Sequence, residues 1–157
     1  MILIKITLIL VLSFIVYQDI KERQVYWFLF PISALCFAIL FYLKTIEALF
    51  YMSVIINMIF VFILLLIVFL YTKIKLKTNF RKAFGLGDVL LFLALTFSFS
   101  SVSFIVLFCS ALIFSLVLHL IINKKSTSVP LAGYMSLFFG CTYIAYWLGF
   151  INSIYSI

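Results

Sequence analysis

The chain has 157 residues, of which 68% are apolar and 10% charged, against about 25% charge in an ordinary soluble domain. With 20 Phe, 9 Tyr and a mean hydropathy of +1.41, it has too little polar surface to face water, which excludes a water-soluble globule. The net charge of +7 comes from 11 Lys and Arg set against 4 acids; the cations lie in short stretches between apolar runs, as the positive-inside rule requires, and no basic arm or aromatic-interleaved basic face is present to bind nucleic acid.

Six spans of about 20 residues need about 120 residues, so the predicted fold class is all-α: a polytopic membrane helix bundle with about six transmembrane helices in one membrane-embedded domain, residues 1–157. Residues 1–17 are apolar except for Lys5, and residues 18–23 offer no small-x-small cleavage site, so this stretch reads as a first span rather than a signal peptide. Residues 25–43 form the second span, with Tyr26 and Trp27 in an interfacial aromatic belt and Pro31 expected to kink it. A tight turn at 44–47 leads to a third span at 48–71, long enough to tilt. Residues 72–84 carry Lys73, Lys75, Lys77, Arg81 and Lys82 with no acid and are expected to be the main loop. Residues 89–122 are too long for one span and are expected to form a hairpin of two, divided near 98–103. A second basic loop at 123–128 precedes Val129-Pro130-Leu131-Ala132-Gly133, which opens a last span running to Phe150.

Six spans place Lys21, Arg23, the five basic residues of the main loop, Lys124 and Lys125 on one side of the membrane, and Lys5 and Lys44 on the other. The richer side is expected to be cytoplasmic. Cys36, Cys109 and Cys141 lie singly in apolar runs without a C-x-x-C pair or a histidine at ligand spacing, so they read as packing residues, and no disulfide framework, metal site or cofactor is indicated.

The acids are Asp19, Glu22, Glu47 and Asp88. Asp19 closes the first predicted span and Asp88 opens the fourth, and the two crossings between them return the chain to the same face. Two carboxylates about 4 Å apart at an effective dielectric of about 20 repel by roughly 4 kcal/mol, near three pK units. Such a pair shares one proton: the ionised member serves as general base on water while the protonated member donates to a carbonyl oxygen. Taken singly, each acid also has a plain structural reading, Asp88 as a helix N-cap after two glycines and Asp19 as an interfacial charge paired with Lys21 or Arg23. Gly85 and Gly87 complete no phosphate-binding motif; lacking Cβ, they allow an extended segment to approach Asp88, or else mark a flexible loop end. His119 reads as an interfacial or packed histidine.

Tyr17-Gln18-Asp19-Ile20-Lys21-Glu22-Arg23 at the end of a first span, with Gly85-Leu86-Gly87-Asp88 opening a later one, resembles the prepilin peptidases, membrane aspartic proteases of the G-x-G-D type. The likeness covers most of the chain, including the basic loop before G-x-G-D and Pro130 ahead of the last span. It implies that Asp19 and Asp88 are a catalytic pair cutting the leader peptide from type IV prepilin-like precursors at the cytoplasmic face of the inner membrane. By the same resemblance Pro130 shapes the site, although a proline at this point is also a common way to begin a helix, and Glu22 meets a basic leader. The chain departs from the larger members, which carry a segment with paired cysteines and methylate the new N-terminus, so no methyltransferase activity is expected. It departs also at Val25-Tyr26, where many members have Pro-Asn after the first aspartate. Two other classes stand beside this reading: a small proton- or cation-handling transporter, which would place its acids near mid-membrane in broken helices, and a presenilin-like intramembrane protease. The partners expected are a precursor protein and membrane lipid, with no nucleic acid.

Overall fold

The computed structural model describes residues 1–76, 85–122, 129–151 and 154–155. Its elements are six α-helices: α1 (Ile2–Glu22), α2 (Leu29–Tyr42), α3 (Glu47–Tyr71), α4 (Leu86–Leu95), α5 (Ser101–Ile122) and α6 (Leu131–Trp147). Among the described residues there is no strand, so the all-α bundle expected from composition is what forms. Three segments, Ile2–Glu22, Glu47–Ile74 and Ser101–Ile122, are long and apolar enough to cross a membrane. Their Ile, Leu, Phe and Val side chains stay exposed on the outer faces, where lipid rather than water solvates them.

Several boundaries differ from expectation. The first helix continues past Tyr17 to Glu22, which puts Asp19 inside its last turn. Pro31 sits in the first turn of α2, where its missing N–H would have had no helical partner, and so it starts the helix instead of kinking it. Thr72–Leu76 is π-helical and prolongs α3 into what composition marked as loop; residues 77–84 of that loop, with Lys77, Arg81 and Lys82, and the second basic loop at 123–128, lie outside the described residues. The expected fourth span is only the 10-residue α4, about 15 Å long and half of a bilayer core.

α4 is nonetheless well packed, against α2, α3 and α6, with Leu91, Phe92, Ala94 and Leu95 buried. α1 packs along α6 and α2, and α5 along α6 and α3. Aromatic contacts fill the space between these layers: Phe92 meets Phe108 edge-on at 4.8 Å, and Phe99 stacks on Tyr143 at 5.2 Å. Of the three cysteines, Cys36 is buried in this core while Cys109 and Cys141 face outward, so packing describes only the first.

The turn joining α4 to α5 lies inside the bundle: Thr96, Ser98, Phe99 and Ser100 are buried. Non-helical backbone at such depth needs protein partners. Asn57, buried near the middle of α3, supplies them by donating its Nδ2 to the carbonyls of Thr96 at 3.1 Å and Phe99 at 3.0 Å, and the Tyr143 hydroxyl donates to the Ser98 carbonyl at 3.3 Å. Replacing Asn57 with Leu leaves two buried carbonyls without donors, which costs roughly 1–3 kcal/mol. A lowered unfolding midpoint of N57L in detergent micelles is the expected result, and an unchanged midpoint would show that the turn does not depend on this side chain.

Candidate active site

The last helix begins at Val129-Pro130, and its first N–H groups determine what gathers around it. A helix start leaves up to four backbone donors without an intrahelical acceptor. Here the Leu131 N–H donates to the Val129 carbonyl at 2.9 Å and the Tyr134 N–H to the Pro130 carbonyl at 3.1 Å. The two between them are taken by carboxylates from elsewhere in the chain: Ala132 N–H donates to Asp88 Oδ1 at 2.8 Å and Gly133 N–H to Asp19 Oδ2 at 2.6 Å. Asp19 comes from the last turn of α1 and Asp88 from the first turn of α4, so three helix ends meet at this point.

Successive helical nitrogens lie about 3 Å apart, so the two bonded oxygens are separated by no more than about 8 Å. The Asp19 charge acts on Asp88 across this gap. Both residues are half-buried. Asp19 Oδ1 lies outside these bonds, whereas Asp88 is held by a second backbone hydrogen bond, from Gly85 at the start of its own helix. The positive end of the α6 dipole faces both acids and stabilises negative charge there, whereas their mutual repulsion opposes a second charge.

The other residues singled out from sequence have separate places. Gly85 is the N-cap of α4; a Cβ on it would stand 3.0 Å from Asp88 Oδ2, so glycine here leaves the carboxylate room. A Cβ on Gly87 would make ordinary contact with the Phe30 ring at 3.5 Å, which places Gly87 against α2. Pro130 is buried and caps α6 two residues before the first carboxylate contact. Glu22 is exposed at the end of α1 and makes no hydrogen bond to either aspartate. Lys21 does not pair with Asp19; its Nζ donates to the Tyr17 hydroxyl at 2.6 Å. Arg23 does act electrostatically on Asp19, from a left-handed backbone with φ of 56° that a non-glycine side chain adopts only at a cost. His119 Nδ1 is buried and has no hydrogen-bond partner among the described residues, and the same is true of Ser115 Oγ on its helix and Ser136 Oγ on α6.

Sequence reasoning missed Ala132 and Gly133, whose contribution is backbone rather than side chain. The one signal available was Pro130, since a proline before an apolar run marks a helix start and hence a set of free N–H groups. It also missed Gln18, buried beside Asp19, whose Oε1 accepts the Tyr26 N–H at 3.2 Å and ties the α1–α2 loop to the site. Among the described residues no three of His, Cys, Asp and Glu gather at metal-binding distance. The chain matches no family model, no curated protein and no solved structure.

A Cβ on Gly133 would stand 3.1 Å from both Cβ and Oδ2 of Asp19, so larger side chains there force α1 away from α6. The juxtaposition can be measured directly in a background with Cys36, Cys109 and Cys141 replaced by Ala. Asp19→Cys and Asp88→Cys together should then be joined by a short thiol-to-thiol cross-linker in membranes. Adding Gly133→Val should suppress the cross-link, and efficient cross-linking in its presence would show that Gly133 does not set the approach.

Proposed function

We propose that this chain is a membrane aspartic endopeptidase of the prepilin peptidase type, cutting the leader peptide from type IV prepilin-like precursors at the cytoplasmic face of the cell's inner membrane. The observation that carries this reading is the pair of hydrogen bonds by which adjacent backbone N–H groups, Ala132 and Gly133, hold Asp88 and Asp19 side by side. Carboxylates 69 positions apart in sequence have no need to converge for capping alone, since Asp88 lies in the first turn of its own helix and could serve there.

The chemistry follows from the pairing. The ionised carboxylate removes a proton from a water molecule as its oxygen attacks the scissile carbonyl carbon, and the protonated partner donates to the carbonyl oxygen. Collapse of the tetrahedral species breaks the C–N bond, with the proton held by the first acid passing to the leaving amine. Backbone N–H groups fix one oxygen of Asp19 and hold Asp88 from both Ala132 and Gly85, so the pair is oriented before the step. Lys21 and Arg23 follow Asp19 directly, which agrees with a cytoplasmic position for this end of the bundle.

A transporter reading draws on one feature, the break between α4 and α5 inside the bundle, because broken helices commonly line ion sites. The carbonyls of Thr96 and Phe99 there are already bonded by Asn57, and the Ser98 carbonyl by Tyr143, while the paired acids lie at the far end of α4. Peptide hydrolysis accounts better for where the acids are.

Co-expression with precursors bearing a short basic leader and a glycine before the cut, followed by intact-mass analysis, tests the proposal. The expected product is the precursor shortened by its leader, without an added methyl group. D19N and D88N should each lower cleavage by roughly 100- to 10,000-fold while inserting into the membrane as before. Cleavage retained by either variant sinks the dyad, and proton flux into liposomes without any cleavage would favour the transporter.

A further inference from the structure

At the end of the bundle remote from the aspartates, the start of α1, the end of α2 and the end of α6 line a half-open cavity of about 180 Å³. Its wall includes Lys5, Lys44, Leu40, Tyr146, Trp147 and Tyr155. That volume exceeds what a single water needs and falls below the range of sites that engulf a whole organic ligand; it suits a small headgroup. Lys5 is held at the wall with its Nζ 5.0 Å from the centre of the Trp147 ring.

The placement of these two lysines is what gives the cavity meaning. Nine of the 11 basic residues fall at the other side in the predicted topology, and the two exceptions, separated by 39 positions in sequence, line one cavity. Glu47 is the one acid at this end of the chain, and it accepts a hydrogen bond from the Tyr42 hydroxyl. Neither lysine has an ion-pair partner among the described residues. Next to the cavity, sharing Met1 with it, runs a shallow apolar groove formed by Ile2, Leu3 and Ile6. A cationic cavity bordered by aromatic side chains and continuing into an apolar groove has the polarity profile of an amphipathic anion: phosphate in the cavity, hydrocarbon along α1.

We propose that this cavity binds the phosphate headgroup of an anionic phospholipid in the leaflet opposite the aspartate pair, with Lys5 and Lys44 as its charge partners and the Ile2–Leu3–Ile6 groove taking an acyl chain. The site is independent of peptide hydrolysis and stands whether or not the chain is a peptidase.

Native mass spectrometry of the full chain, released from nanodiscs of phosphatidylglycerol or of phosphatidylcholine, reads the binding directly. Phosphatidylglycerol should remain bound and phosphatidylcholine should not. Each lysine beside an anionic headgroup is worth roughly fivefold, so K5Q/K44Q should lose about twenty- to thirtyfold in retention, whereas K5R/K44R and the remote K21Q should retain the lipid. Because the double variant could fail to fold, a second measurement uses the unaltered chain: phosphatidylglycerol should raise its unfolding temperature in detergent above that in phosphatidylcholine. Equal retention of the two lipids, equal unfolding temperatures, or retention unaltered in a folded K5Q/K44Q would each overturn the proposal. Displacement of phosphatidylglycerol by inorganic phosphate would assign the cavity to the free anion and overturn the lipid.

Discussion

In hydrocarbon there is no water to serve a backbone N–H or C=O, so every helix that starts or breaks inside the bundle must find its partners within the protein. α6 starts where two N–H groups would otherwise be unserved, and Asp19 and Asp88 serve them. The same bonds that complete the helix also bring two acids together. In the proposed peptidase, one pair of contacts would thus meet both a structural requirement of the membrane and the geometry for acid–base chemistry.

The height of Asp88 is set at both ends of α4. Near the aspartate, the Ala132 N–H anchors its carboxylate. At the other end, Asn57 and Tyr143 hold the buried turn that follows the helix. The ten residues of α4 are thus held at both ends, with Gly87 facing Phe30 on the α2 side.

The two ends of the bundle differ in charge. Beside the aspartates, Glu22, Lys21 and Arg23 follow in the chain, and in the predicted topology nine of the 11 basic residues share that side. At the remote end, the two lysines face a cavity and the single acid is engaged elsewhere. In the proposed functions the first end meets a peptide and the second a lipid, and only the second is matched in sign to the charge that lines it, two lysines against an anionic headgroup. Anchoring α1 through Lys5 would also steady the helix that carries Asp19 at its opposite end.

Much was legible in the amino-acid sequence because its signals are local. Long apolar runs specify helices that face lipid, four acids in 157 residues make each conspicuous, and the even number of predicted crossings between Asp19 and Asp88 predicted that they share a face. The start of α6 was marked by Pro130. What sequence could not reveal was which face of each helix packs inward: in lipid the outward face is as apolar as the inward one, so the periodicity that orients helices in water is absent. The division of residues 89–122 was legible near 98–103, but the buried role of Asn57, the burial of the turn at 96–100, the π-helical end of α3 and the meeting of Lys5 with Lys44 all depended on that hidden orientation. The carboxylate contacts with Ala132 and Gly133 were hidden for a second reason, since a backbone N–H is present at every residue but proline and becomes distinctive only when tertiary packing leaves it without another partner.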